Sequence, residues 1–329
     1  MRILACSDIH GNVEAVRKIR DLEANIFDVI VIAGDIGNGN TGDVLSCFGS
    51  FGCPVLYVYG NWDNKVSYDV SFSPGFNHIH NNLICIDGYY FGGYSGCSAS
   101  WGMNPIYLDL LRDVNERHKE TIRIRNELRF DFDRQESAIH ADFLERMRLL
   151  KEQRHKLTLA EYRKKRLLLG IREDKSVSSA RNGLASHLLS AVHRSYICDR
   201  SASIRSVGEK NLEAFSRLIV ESQVDQRRLI MVTHDRIYRI GEHNLQPLVY
   251  IFGHLHRHKL SRSGGTSFVN VAAVDMHDDM TFYGCINPDE FFDDDRVDIL
   301  EKRYKNRPCG YCILELRGAD VAVFRKEII

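Results

Sequence analysis

A chain of 329 residues, 44% hydrophobic and 27% charged, has the composition of an ordinary soluble globular protein, with length enough for a substantial core in one domain or two. Lys+Arg and Asp+Glu balance at 44 each, so net charge favours neither nucleic acid nor an acidic partner. Met1–Cys6 is apolar but broken by Arg2 and too short for a signal-peptide core, and no apolar run approaches the roughly 18 residues of a membrane span; the expected location is the cytoplasm. The nine cysteines are odd in number and scattered, which excludes a disulfide framework, and Cys309-Gly310-Tyr311-Cys312 runs into a strand pattern with no second pair to complete a zinc site.

The first stretch, Ile3-Leu4-Ala5-Cys6-Ser7-Asp8-Ile9-His10-Gly11-Asn12, reads as a buried strand ending in Asp-x-His, followed by a turn. A spacing of two puts Asp8 and His10 on the same side of an extended chain. Val13, Val16, Ile19 and Leu22 then mark one helix face. Val29–Ala33 is a continuous apolar run, as a strand covered on both faces requires, and it ends in Gly34-Asp35. A helix over 41–51 leads to a strand over 55–59, which ends in Gly60-Asn61-Trp62-Asp63. Alternation of strand and helix predicts an α/β layered domain, with its ligand site beyond the carboxyl ends of the strands.

Residues 83–86 and 89–91 form a predicted hairpin around Asp87-Gly88, and Gly92–Gly96 reads as a loop at the sheet edge. Between 106 and 206 the character changes. There is no proline from 106 to 246, and about 22 Lys/Arg face about 15 Asp/Glu between Asp109 and Arg205. Helical spacing (Ile139, Phe143, Met147, Leu150; Ala180, Leu184, Leu188) and the capping box Thr158-Leu159-Ala160-Glu161 predict an insertion of about four helical segments. The sheet pattern resumes from 207: Leu229–Thr233 runs into His234, and Leu248–Phe252 into Gly253-His254-Leu255-His256. A hairpin turns at Gly264-Gly265, the stretch 275–298 reads as an acidic solvated segment, and two strands close the chain.

Five strands therefore end in metal-type donors: Asp8 and His10, Asp35, Asn61, His234, and His254 with His256. The order and spacing of these motifs resemble the calcineurin-like metallophosphoesterase family. The resemblance implies a β-sandwich flanked by helices, formed by 1–105 and 207–329, with 106–206 as a large helical insertion acting as a lid or binding a protein or nucleic acid. It further implies two divalent or trivalent metal ions. One is held by Asp8, His10 and His256, the other by Asn61, His234 and His254, and Asp35 bridges them. The mixed oxygen and imidazole donors suit Mn, Fe or Zn. The implied activity is phosphoester hydrolysis, by a phosphodiesterase or phosphatase, with a bridging hydroxide as nucleophile. Asp35, Asn61 and Asp63 are the catalytic candidates. The third motif departs from the family, because Trp62 stands where a histidine general acid is usual and indole cannot donate a proton in that role. His78, His80, His187 and His193 are the candidate replacements. The basic insertion makes a nuclease the runner-up, and Trp62 leaves room for a phosphoesterase-fold scaffold that binds a protein partner.

Overall fold

The structure is a computed structural model that describes residues 1–23, 26–66, 72, 74–96, 103–188, 191–275 and 309–328. The chain divides into two compact units, Met1–Leu110 with Ile204–Ile329, and Leu111–Ser203.

In the first unit, β1 (Arg2–Cys6), β2 (Val29–Ala33), β3 (Val55–Val58) and β4 (Phe76–His78) run parallel. Helices α1 (Val13–Leu22) and α2 (Thr41–Gly49) follow the first two of these strands. The second sheet takes β5 (Leu83–Ile86), β6 (Tyr89–Tyr94), β7 (Leu229–Thr233), β8 (Val249–Phe252), β9 (Lys259–Ser263) and β10 (Thr266–Asn270). The chain returns to the first sheet with β11 (Gly310–Arg317) and β12 (Asp320–Glu327). Strand order is β12-β11-β1-β2-β3-β4 in one sheet and β5-β6-β7-β8-β10-β9 in the other.

Side-chain alternation explains the layers. Ile3 and Ala5 of β1, Val29 and Val31 of β2, Ile230 and Val232 of β7, and Val249 and Ile251 of β8 share one core cluster between the sheets. The opposite positions, Leu4, Cys6, Ile30 and Ile32, pack with Val16, Ile19, Val44 and Phe48 of α1 and α2. On the far side, Leu229, Met231 and Tyr250 pack with Leu212, Phe215 and Ile219. Each fully buried aliphatic side chain is worth about 1.5–3 kcal/mol relative to exposure, so strands apolar on both faces are held from both sides. The sheets are therefore pinned in register, and their parallel strands present carboxyl ends at a common edge.

Gly92-Gly93 corrects an expectation: the stretch is not an edge loop but part of β6, which lies between β5 and β7. A Cβ on Gly93 would lie 1.7 Å from the Val232 carbonyl oxygen, and one on Gly92 would lie 2.9 Å from the Phe215 ring. The glycines here serve close packing rather than turning.

The second unit is helical. It contains α4 (Lys119–Glu152) and α5 (Leu159–Leu188) whole, together with parts of α3 (Pro105–Arg117) and α6 (Ala191–Glu221). The 139–150 pattern is thus one stretch of a helix about 51 Å long. α4 and α5 form a hairpin, with His140 Nδ1 2.8 Å from Glu173 Oε1 across it. The capping box forms: the Thr158 amide donates to Glu161 Oε2 at 2.9 Å, and the Glu161 amide to Thr158 Oγ1 at 3.3 Å. Among the described residues, no helix is long and apolar enough to cross a membrane.

Gly93→Ala is expected to lower unfolding stability by about 3 kcal/mol, as an overpacked strand contact, measured by urea denaturation.

Candidate metal centre

β1 ends at Cys6, and the residues beyond it leave the extended conformation. Asp8 (φ 52°), His10 (φ 50°), Asp35 (φ 54°), His254 (φ 66°) and His256 (φ 48°) are all left-handed. They are five of the nine such non-glycine residues among those described. Asp8 and His10 are therefore not aligned by strand alternation. Two left-handed turns aim them, and the extended-chain expectation for this pair is corrected. Each such backbone costs about 1–2 kcal/mol and persists only where its surroundings hold it. Those surroundings are the strand ends themselves. The Asp8 amide donates to Gly34 O at 3.1 Å, the His10 amide to Asp35 O at 3.0 Å, and the His254 amide to Asp8 Oδ2 at 3.0 Å. The loops also approach too closely for larger residues: a Cβ on Gly60 would sit 2.1 Å from Asp35 Oδ1, and one on Gly253 1.7 Å from Ser7 Oγ.

Asp8 and Asp35 are buried carboxylates, 0% and 2% exposed. Among the described residues their ion-pairing partners are histidines alone. His256 Nε2 lies 3.2 Å and His234 Nε2 4.0 Å from Asp8 Oδ1. His234 Nε2 and His10 Nε2 lie 3.1 and 3.4 Å from Asp35 Oδ2. Two overlapping sets, Asp8 with His10 and His256, and Asp8 with Asp35 and His234, hold their donor atoms within 4.8 Å of one another. Burial disfavours ionised carboxylates, but the adjoining His256 charge holds Asp8 well below the usual carboxylate range, and the His234 charge does the same for Asp35. Burial likewise disfavours the charged imidazoles, yet Asp275 and Asp35 raise His10 to about 10, and Asp35 and Asp8 raise His234 to about 10. The site demands positive charge at its centre.

The fit to a cation rests on alignment as well as charge. Asp8 Oδ1, Asn61 Oδ1 and His234 Nε2 are buried without a geometrically acceptable hydrogen bond. This holds even though His256 and Asp35 stand at ion-pair distance from them. Asp8 Oδ1 and His234 Nε2 belong to sets whose donor atoms lie within 4.8 Å of one another, so their lone pairs are left for an ion rather than for each other. Carboxylate, amide and imidazole together are a transition-metal donor set.

The structure brings Asp8, His10, Asp35, His234 and His256 together, with Asn61 and His254 beside them. The Trp62 amide donates to Asp35 Oδ1 at 2.7 Å, tying the Asn61 loop to the carboxylate, and the His254 ring meets that of His234 edge-on at 5.1 Å. Trp62 is half-buried, its ring centroid 4.9 Å from that of His10. Asp63 is fully buried and accepts from the amides of Ile36 (3.0 Å), Gly37 (2.9 Å) and Gly60 (2.8 Å), so it clamps two of the strand-end loops. Burial and the nearby Asp35 charge raise its carboxyl to about 6, against those three amides.

Asp275 escaped the sequence reading, which assigned it to a solvated acidic segment; the rest of that segment lies outside the described residues. Its Oδ2 lies 3.2 Å from His10 Nδ1, and its amide donates to Asp8 O at 3.0 Å. The signal was present, because Asp275 follows the apolar run Val271–Val274 just as Asp8 and Asp35 follow theirs.

His78 and His80 stand elsewhere. The Tyr59 amide donates to Ser95 Oγ (2.8 Å), which is hydrogen-bonded to His78 Nε2 (2.7 Å), while the Ser95 amide donates to His80 Nδ1 (2.9 Å). His80 Nδ1 is therefore an acceptor, and burial pushes His78 down to about 3 and His80 to about 4. The side chains of His187 and His193 lie outside the described residues.

Residues 1–150 match the calcineurin-like phosphoesterase superfamily domain. That match covers β1 to β6 and supports hydrolase chemistry at the level of class. No curated protein matches. Similar solved structures include an uncharacterized predicted phosphoesterase from Streptococcus pneumoniae TIGR4 (10% identity, TM-score 0.31, covering 99% of this chain and 97% of that one). Another is wild-type Vps29 complexed with zinc from Entamoeba histolytica (10% identity, TM-score 0.33, covering 100% of each chain). A third is phosphopantetheinyl hydrolase from Mycobacterium tuberculosis (12% identity, TM-score 0.34, covering 83% of this chain and 89% of that one).

Two outcomes are expected of the two-sheet unit. Asp63→Ala strands three buried amides and should cost about 3 kcal/mol or more of stability in chemical denaturation. For His78 and His80 the folded-state value is depressed, so the stability they contribute is complete above the ordinary 6.5 and is lost as pH falls towards about 4. The denaturation midpoint should drop across that window, and less steeply in His80→Gln.

Proposed function

We propose that this chain is a metal-dependent phosphoester hydrolase, acting on phosphodiesters or on monoesters with a good leaving group. The observation that carries the reading is the gathering of buried, histidine-compensated Asp8 and Asp35 with His10, His234 and His256 in two sets whose donor atoms lie within 4.8 Å of one another. In this proposal Asp8, His10 and His256 hold one ion, Asn61, His234 and His254 a second, and Asp35 faces both. Such a pair of cations, when bound, acidifies water, binds phosphate oxygens and neutralises charge in an in-line displacement. The chain's own residues do the rest. Asp275 orients the His10 ring through Nδ1, Ala33 O orients His234 through Nδ1 at 2.8 Å, and Asp63 holds the loops that carry Asp35 and Asn61.

Trp62 beside His10 supplies an apolar wall and no proton. The reaction therefore depends on a leaving group that departs without protonation, or on an acid carried by the substrate.

The direct test is hydrolysis of bis-p-nitrophenyl phosphate with added Mn²⁺. Turnover is expected in the wild type and is lost in Asp35→Ala and His254→Ala. Absence of turnover on any phosphoester, with metal shown bound by elemental analysis, overturns the proposal. Trp62→His should raise kcat on alkyl phosphoesters about tenfold or more while changing p-nitrophenyl esters little, since only the former need the proton.

A further inference from the structure

The charge of the helical unit is not spread along it. Between Leu111 and Ser203 there are 21 Lys/Arg and 14 Asp/Glu, an excess of seven. Residues 151–166, where α4 turns into α5, hold five of that excess: Lys151, Arg154, Lys156, Arg163, Lys164, Lys165 and Arg166 against Glu152 and Glu161. Residues 111–150 are balanced, nine against nine. Both tip carboxylates are engaged, Glu152 by Arg148 and Glu161 by Thr158. Among the described residues none of the seven cations forms an ion pair, and all seven are exposed. A merely solvated helix surface would pair its charges along its length, as Arg123 does with Glu120 and Glu127 farther back on α4.

Exposed aliphatic side chains gather at the same place. Leu149 is 42% exposed, Leu159 51%, Leu167 65% and Leu168 55%. On α5, Lys164, Leu167, Leu168 and Ile171 recur at i, i+3, i+4 and i+7, so one face carries a cation followed by an apolar stripe. It is not the face turned to α4, where Glu173 meets His140.

We propose that the tip of the α4–α5 hairpin, residues 149–171, docks on an anionic lipid bilayer surface. Cations alone would fit any polyanion, and the leucines decide between them. A bilayer takes up both features at once, phosphate headgroups meeting the lysines and arginines while the acyl boundary receives Leu167, Leu168 and Ile171. A nucleic acid offers phosphates and base faces, which call for aromatic platforms; of the two rings of the tip, Tyr162 is half-buried with Arg154 over it at 5.1 Å, and His155 is a small exposed imidazole. The docking involves no membrane span and does not depend on the proposed reaction.

Flotation of the full chain with vesicles tests it. Binding is expected to phosphatidylcholine vesicles containing about a third phosphatidylglycerol at about 0.1 M salt, and not to phosphatidylcholine alone. Lys164→Glu with Lys165→Glu should weaken binding at least tenfold, since each cation near such a surface is worth about fivefold. Leu167→Gln with Leu168→Gln should weaken it comparably while circular dichroism shows the helices intact. No binding to the anionic vesicles, or binding that both variants retain, overturns the proposal. So does binding of single-stranded RNA through the same lysines at an affinity the leucine variant leaves unchanged, which would assign the tip to nucleic acid.

Discussion

Two carboxylates buried at the ends of adjacent parallel strands are the constraint around which the two-sheet unit is arranged. Asp8 and Asp35 are almost wholly removed from water, and no lysine or arginine among the described residues pairs with either. Burying an ionised carboxylate costs several kcal/mol unless it is compensated. Here the compensation comes from His10, His234 and His256, drawn from three separate strand ends. Imidazole is a compensating group that can also give up its proton and become a ligand, so the residues that stabilise the metal-free fold are the same ones that the proposed function assigns to a cation.

Meeting this demand shapes the backbone nearby. Left-handed residues at Asp8, His10, Asp35, His254 and His256 turn the chain back on itself within a few residues of each strand. The exchange of amides and carbonyls between those turns keeps the strain in place. Asp63 gathers amides from both the Asp35 and Asn61 segments onto one buried carboxylate. The strain is local to the site, while the register of the sheets is carried by an apolar core between them.

The helical unit follows a different economy. Among its described residues only Val114, Leu150 and Tyr196 are buried hydrophobics, and its long helices rely on capping and on Arg–Glu pairs along their faces. Such pairs add only tenths of a kcal/mol each. Its surface is therefore free to vary, and the segregation of cations and leucines at one tip is a feature that folding of the helices does not require.

Apolar runs followed by Asp, Asn or His let the sequence by itself determine the strands, the α/β class and seven candidate ligands, because parallel strands buried on both faces must be continuously apolar and anything polar at their ends stands out. It also determined the capping box at Thr158 and the hairpins at Asp87-Gly88 and Gly264-Gly265, which are local hydrogen-bonding and backbone preferences. The role of Gly92-Gly93 could not be read locally, since only the neighbouring Val232 carbonyl and Phe215 ring, distant in sequence, show that the space admits no side chain. Asp275 is not legible locally because its partner His10 is 265 positions away, and Asp63 and Trp62 are placed by bonds to Ile36 and Asp35, each 27 positions away. The direction in which Asp8 and His10 point was likewise a tertiary matter. A left-handed turn is unfavourable in isolation, and only contacts made by the folded chain hold it.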